Sequence, residues 1–356
     1  MRAPLCILLL ALAATAPTAC GGDDDDAASP DAAPPLSDAT SLSCPSPGLL
    51  PFRLESTGFQ TPLAQAIAAD NSRNKDESSD SIGNPGGPTA SIYLADDGSP
   101  GDAITYHGVK ARSLPTNGLV ATALGGEEVS LWTYDPTGAR WQAIGRTTTD
   151  ESGAYELDGT GFVAPNEQPI YAMLEADGSC AVHYDYAYPR GTKVVVTDID
   201  GTLTTADDQI IMELVDEAYV PMMKTQANVM LQTWATKGYV VVYLTARSHG
   251  LRAETRAWLD ARGFPLGPII TANDPGAPEA TKALWLDRLT QDFGWQVVAA
   301  YGNADTDILA YADAGLAKDT TFIIGDLAGM DGTVAIENDD YTAHIADFVD
   351  AQPDAP

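Results

Sequence analysis

Hydrophobic and polar positions follow two different patterns along this chain. Over residues 91–188 they alternate with period two in short runs parted by turn formers. Ser130-Leu131-Trp132-Thr133-Tyr134 alternates, Asp135-Pro136-Thr137-Gly138 turns the chain, and residues 141–146 supply a partner strand. Asp150-Glu151-Ser152-Gly153 is a second turn before Ala154-Tyr155-Glu156-Leu157, and residues 169–174 and 180–186 complete the set. Short strands at this near-regular spacing predict a small β-sandwich. From about Pro189 the pattern changes. Lys193-Val194-Val195-Val196-Thr197 is continuous and β-branched, as in a strand covered on both faces. Further strand signals at 239–244, 268–271, 295–301 and 320–324 alternate with helical periods. These periods cover 208–238 (broken at Pro221), 251–262 (ended by Gly263), 278–293 and 305–314 (ended by Gly315). The alternation predicts an α/β fold over residues 189–350, a doubly wound parallel sheet with its ligand site at the carboxyl ends of the strands.

The segments before these two regions do not read as core. Arg2 is followed by a short apolar run over residues 5–14, too short to span a bilayer, and small residues lead to Cys20. Residues 1–20 resemble a bacterial lipoprotein signal ending at Ala19-Cys20-Gly21. The resemblance implies lipidation of Cys20, export and a membrane anchor; an ordinary cleaved signal, giving a secreted protein, is the alternative. Residues 21–46, opening Gly-Gly-Asp-Asp-Asp-Asp, are expected to be a solvated tether, with Asp23 to Asp26 a self-repelling run rather than a metal site. Residues 47–90 are expected to be an irregular lead-in.

Composition narrows the partners. The 356 residues carry 19 Lys and Arg against 50 Asp and Glu, a net charge of −31, while 44% are apolar. The apolar share rules out global disorder. The charge argues against nucleic acid, and against an anionic bilayer held by bulk electrostatics, unless Arg247, Arg252, Arg256 and Arg262 form a local basic face. Once Cys6 and Cys20 are set aside, Cys44 and Cys180 remain; in an exported protein they can pair, or stand as separate thiols. His107, His183, His249 and His344 have no zinc spacing.

The residues just beyond each predicted strand carry the chemistry. After the first strand comes Asp198-Ile199-Asp200-Gly201-Thr202-Leu203-Thr204; after the second, Thr245-Ala246-Arg247. Lys282 lies near the start of a later helix, and Gly302-Asn303-Ala304-Asp305-Thr306-Asp307 succeeds the strand at 295–301. A doubly wound sheet gathers all four at one edge. Two carboxylates at i and i+2 on a strand end face the same way and call for a cation or a proton. Mg²⁺, a hard ion taking carboxylate, carbonyl and water oxygens, suits them. Gly201 permits a sharp turn that opens backbone N–H groups toward an anion.

These ordered motifs resemble the haloacid-dehalogenase-like phosphatase superfamily, over about residues 190–350. Asp198 to Thr204, Tyr243-Leu244-Thr245-Ala246-Arg247 and Tyr301-Gly302-Asn303 with Asp307 are most similar to the LNS2 domain of lipin-type phosphatidate phosphatases, which also occurs in phosphatidylinositol-transfer proteins. Residues 147–157 weakly resemble a transthyretin-like sandwich repeat. The resemblance implies that Asp198 is the nucleophile and Asp200 the general acid and base. It implies a Mg²⁺ site of Asp198, the Asp200 carbonyl, Asn303 and Asp307. It places Gly201, Thr202, Thr245, Ala246, Arg247 and Lys282 around the phosphoryl group. Asn303 replaces the acidic residue usual in the superfamily but matches the lipin pattern. With a minimal cap, the expected function is Mg²⁺-dependent phosphomonoester hydrolysis through an aspartyl-phosphate, on a lipid phosphate such as phosphatidate. Two alternatives stay open: an exported phosphatase for soluble esters or phosphoproteins, and a non-catalytic phosphatidate-binding module.

Overall fold

A computed structural model describes residues 73–76, 81–83, 89–91, 105–113, 121–123, 125–135, 140–151, 153–158, 168–174, 180–206, 209, 219–248, 251–272 and 277–356. The leader with Cys20, the tether and Cys44 lie outside the described residues, so the Cys44–Cys180 pairing does too.

The N-terminal part is all β. Its strands are β1 Arg73–Asp76, β2 Ser81–Gly83, β3 Thr89–Ser91, β4 Thr105–Ser113, β5 Ala121–Ala123, β6 Glu128–Asp135, β7 Arg140–Thr148, β8 Ala154–Asp158, β9 Gln168–Leu174 and β10 Cys180–Ala187. One sheet orders β1-β4-β5, with β8 also on β4; the other runs β3-β2-β10-β9-β6-β7. Alternation along β6 and β9 turns Val129, Leu131, Ile170, Ala172 and Leu174 into one cluster. Tyr155 of β8 packs into that cluster and Leu157 against it, so the two sheets share a core. The irregular lead-in expected over 47–90 is corrected in part: β1, β2 and β3 lie there. They are three or four residues long and mostly polar, so only backbone pairing reveals them, β1 with β4, β2 with β10 and β3 with β2. The β2–β10 pair is parallel, an exception in an otherwise antiparallel sheet.

The C-terminal part is α/β. Its strands are β11 Lys193–Thr197, β12 Val240–Ser248, β13 Ile269–Ala272, β14 Gln296–Gly302, β15 Thr321–Ile324 and β16 Val334–Ile336. They form a parallel sheet ordered β13-β12-β11-β14-β15-β16. The helices are α1 Ala227–Thr236, α2 Arg252–Ala261, α3 Pro278–Asp287, α4 Asp305–Asp313 and the short α5 Thr342–His344, which runs on into a π turn, Ile345–Val349.

The β-branched run of β11 is buried on both faces. Val195 packs with Trp234 of α1, Trp258 of α2 and Val349 near the C-terminus. Val194 and Val196 pack with Trp285 and Leu286 of α3 and Tyr311 of α4. Burying a side chain of this size contributes about 1.5–3 kcal/mol, so the two apolar layers are what hold the helices to the sheet. The chain leaves β11 toward β12 and β13 on one side, then returns to β14, β15 and β16 on the other. The crevice where the order reverses lies between β11 and β14.

The helix expected over 208–238 is corrected for residues 219–226, which are not helical. Met223 bridges to Thr204 and Thr225 to Asp340, and α1 begins only after Gln226, which has a left-handed φ of 61°. Backbone bonds to these distant partners outweigh the local helical period. β16 and the C-terminal helix are additions to the predicted elements.

Candidate active site

Asp198 directly follows β11, and its N–H extends the ladder to the Tyr301 carbonyl of β14 at 3.0 Å. Beyond it the chain doubles back: Leu203 and Thr204 donate to the Ile199 carbonyl at 2.7 and 3.0 Å, and Gly201 has a φ of 70°. The Gly201 N–H donates to Thr204 Oγ1 at 2.9 Å. It is therefore engaged within the loop.

Asp198 is 5% exposed. Lys282 of α3, itself buried, places Nζ 2.8 Å from Asp198 Oδ1 and 2.5 Å from Asp307 Oδ1. Burial pushes the Asp198 carboxyl up to about 7, with Lys282 pulling it down and Asp307 and Asp200 adding to the rise. Burial works against the Lys282 charge, yet the Asp198 and Asp307 carboxylates outweigh it and hold the ammonium above its usual range.

Asp307 is fully buried, and Oδ2 accepts from the N–H groups of Asn303 and Ala304 at 3.0 and 3.1 Å. Both of its oxygens thus serve Lys282 and the Asn303 loop. Asp305, two residues before it, is exposed and accepts from the Thr306 N–H. Gly302 permits this packing: a Cβ there would stand 2.5 Å from the Asp307 Cβ.

Thr202 Oγ1 reaches Asn303 Oδ1 at 3.0 Å and Asp198 Oδ2 at 3.4 Å. Asp200 is clamped by Arg247, Nε to Oδ2 at 2.9 Å and the second guanidinium nitrogen to Oδ1 at 2.7 Å. Thr245, buried at the carboxyl end of β12, accepts the Arg247 N–H at 3.2 Å, and Ala246 between them is half-buried. The edge of the sheet therefore gathers Asp198, Asp200, Thr202, Lys282, Asn303 and Asp307 around the β11–β14 crevice, with Thr245 and Arg247 arriving from β12.

Three residues unnoticed in the sequence support this group. Thr255 of α2 accepts from Arg247 at 2.9 Å. Tyr341 donates to the Thr202 carbonyl at 3.0 Å, and Tyr311 to the Tyr301 carbonyl at 2.7 Å. Tyr341 is 139 residues from Thr202, so no local signal marks it. The local basic face of Arg247, Arg252, Arg256 and Arg262 is corrected: the first three are buried and Arg262 is half-buried. Arg256 donates to the Gly267 carbonyl and to Tyr186 Oη, and Arg262 to the Pro221 carbonyl. These arginines tie elements together rather than front a membrane.

The oxygen donors suit Mg²⁺. Thr202 Oγ1 lies within reach of both Asp198 Oδ2 and Asn303 Oδ1, so these two oxygens border one spot, and the Asp200 carbonyl is on the same loop. Among the described residues no three His, Cys, Asp or Glu side chains form a metal cage. A carboxylate, an amide and a carbonyl, completed by water, are what Mg²⁺ commonly takes.

A parallel sheet in this order, with paired aspartates after the central strand and a lysine and an asparagine converging on them, is consistent with a haloacid-dehalogenase-like fold. Residues 195–325 match the family described as PITM 1-3, LNS2 domain. The lipin-like resemblance read from the motifs is borne out by that match. Protein retinal degeneration B of Drosophila melanogaster is 27% identical over 228 residues, covering 63% of this chain and 18% of that protein. Membrane-associated phosphatidylinositol transfer protein 3 of Mus musculus is 27% identical over 233 residues, covering 64% and 23%. Membrane-associated phosphatidylinositol transfer protein 1 of Rattus norvegicus is 27% identical over 237 residues, covering 64% and 18%. The chain therefore spans about a fifth of the length of these relatives. Among solved structures, a carbohydrate acetylesterase from Xanthomonas citri is matched at 11% identity with a TM-score of 0.22, over 62% of this chain and 56% of that one. So low a score has no bearing on the fold.

Proposed function

We propose that this LNS2-like protein is a Mg²⁺-dependent phosphomonoesterase whose substrate is a lipid phosphate such as phosphatidate. The observation that carries the reading is the convergence of Asp198, Lys282 and Asn303 at one strand edge, with Asp200 two residues beyond the nucleophile. Asp198 Oδ2, Asn303 Oδ1 and the Asp200 carbonyl would hold the ion, which would neutralise phosphoryl charge that repels a carboxylate. Asp198 forms a bond to phosphorus as the ester oxygen leaves with its electron pair. Asp200 gives the leaving oxygen a proton and later takes one from the water that frees phosphate. Lys282 offsets charge on Asp198 and on the transferring group. Asp307, with both oxygens engaged, holds Lys282 and the Asn303 loop in place. The lipid character of the substrate is supported by the names of the transfer-protein relatives. Export and anchoring through Cys20 are supported by the lipoprotein-like leader.

Phosphate release from phosphatidate in mixed micelles should require Mg²⁺, cease with EDTA, and fall at least about a thousandfold in Asp198→Asn. Undiminished release in that variant would remove the mechanism. A soluble-ester phosphatase would turn over short-chain esters equally well without micelles. The non-catalytic reading is favoured by one observation, the clamp on Asp200. It would show as phosphatidate binding without release.

A further inference from the structure

The Asp200–Arg247 pair leaves the general acid unready. Both carboxylate oxygens accept from one guanidinium, at 2.9 and 2.7 Å. A carboxyl that delivers a proton must present one oxygen to the leaving group. The remaining Arg247 nitrogen donates to Thr255 Oγ1 at 2.9 Å, and Thr255 Oγ1 in turn donates to the Leu251 carbonyl at 2.7 Å. The cation is thereby fixed to α2. The Arg247 side chain is 1% exposed, while that of Asp200 is 19% exposed, so solvent reaches the anion of the pair more than the cation. A planar guanidinium fork fits two phosphoryl oxygens as well as it fits a carboxylate. Two anions then compete for one anchored cation.

We propose that Arg247 is a latch operated by the substrate: it holds Asp200 while the site is empty and exchanges it for the terminal phosphoryl group of the incoming ester. The exchange releases Asp200 only when a phosphoryl group is present, which ties proton delivery to the correct ligand chemistry. The inference rests on the phosphomonoesterase reading for its catalytic meaning. The competition itself is an equilibrium property that binding alone can test.

The test is a double-mutant cycle on the full chain, with inorganic phosphate as probe and its affinity read by calorimetry in the presence of Mg²⁺. Freed of its competitor, Asp200→Asn should bind phosphate at least about tenfold more tightly than the wild type. In the Arg247→Met background the same change should alter affinity less than about twofold. An equal gain in both backgrounds would reduce the effect to plain charge repulsion and overturn the latch. No gain in Asp200→Asn, or no phosphate binding by any of the four proteins, would overturn it too. Should Arg247→Met fail to fold, Arg247→Lys, charged but unable to fork, replaces it, and the gain should then shrink below about threefold. Phosphate release by the wild type is measured alongside. A non-additive cycle without turnover keeps the latch and removes the phosphatase reading; turnover with an additive cycle does the reverse.

Discussion

Lys282 is the residue on which the charge balance of the site turns. Its ammonium lies between two buried carboxylates, at 2.8 Å from Asp198 and 2.5 Å from Asp307. Without it, two anions would face each other away from water. Lys282→Met should therefore cost about 3–5 kcal/mol of stability, measured by urea unfolding. Adding Asp307→Asn to that variant should recover part of the loss. A cost below about 1 kcal/mol would mean that the pair of contacts is not formed in solution. In the sequence, Lys282 had only its place in a series of motifs to recommend it. Motif spacing likewise marks Asp307, which the structure buries while it exposes Asp305. What that spacing did not convey is that Asp307 turns both oxygens to the protein. That depends on the close approach at Gly302, a contact between two elements.

Among the elements, the C-terminal segment was the least visible in advance. β16 is three residues long and α5 one turn, too short for a hydrophobic period to register. They are held by contacts far along the chain. Tyr341 supports the loop that follows Asp198, and His344 Nε2 lies 2.9 Å from the Tyr301 hydroxyl. The Tyr301 hydroxyl accepts from the Trp234 indole at 2.9 Å, leaving its proton for His344. Burial, partly offset by Asp347, lowers the His344 ring to about 4. The unfolded chain takes up this proton near pH 6.5, the folded chain only near 4. Stability is thus fully present above about 6.5 and is lost as the pH falls toward 4, by about 2 kcal/mol for a partly solvated ring. Unfolding curves at pH 7 and pH 4.5 should show this difference in the wild type and much less of it in His344→Gln. An unchanged difference in that variant would assign the effect to other groups. By contrast, β11 to β15 and the helices α2, α3 and α4 lie within a few residues of where their patterns put them. Strands covered on both faces and helices with buried aromatic residues, Trp258, Trp285 and Tyr311, leave unambiguous runs.

For the whole molecule, a net charge of −31 implies self-repulsion that the folded state concentrates. The Debye length shrinks from about 30 Å at 0.01 M salt to about 10 Å at 0.1 M, so sodium chloride should raise the melting temperature over that range. A flat or falling melting temperature would show that the acidic residues are already compensated in the fold. Within the site, Lys282 and Arg247 are buried beside their carboxylates and offset the local repulsion. Periodicity and short-range order in the sequence suffice for the parallel α/β sheet and for which residues stand at its strand ends, Asp198 and Asp200 among them. Packing brings Arg247 onto Asp200 and Asp307 onto Lys282, makes three arginines internal and sets Tyr341 behind the loop that follows Asp198. Each joins groups between 25 and 139 residues apart, or depends on which face of an element is covered. A charged side chain reads the same in a sequence whether water or a carboxylate is its neighbour, and only packing distinguishes the two.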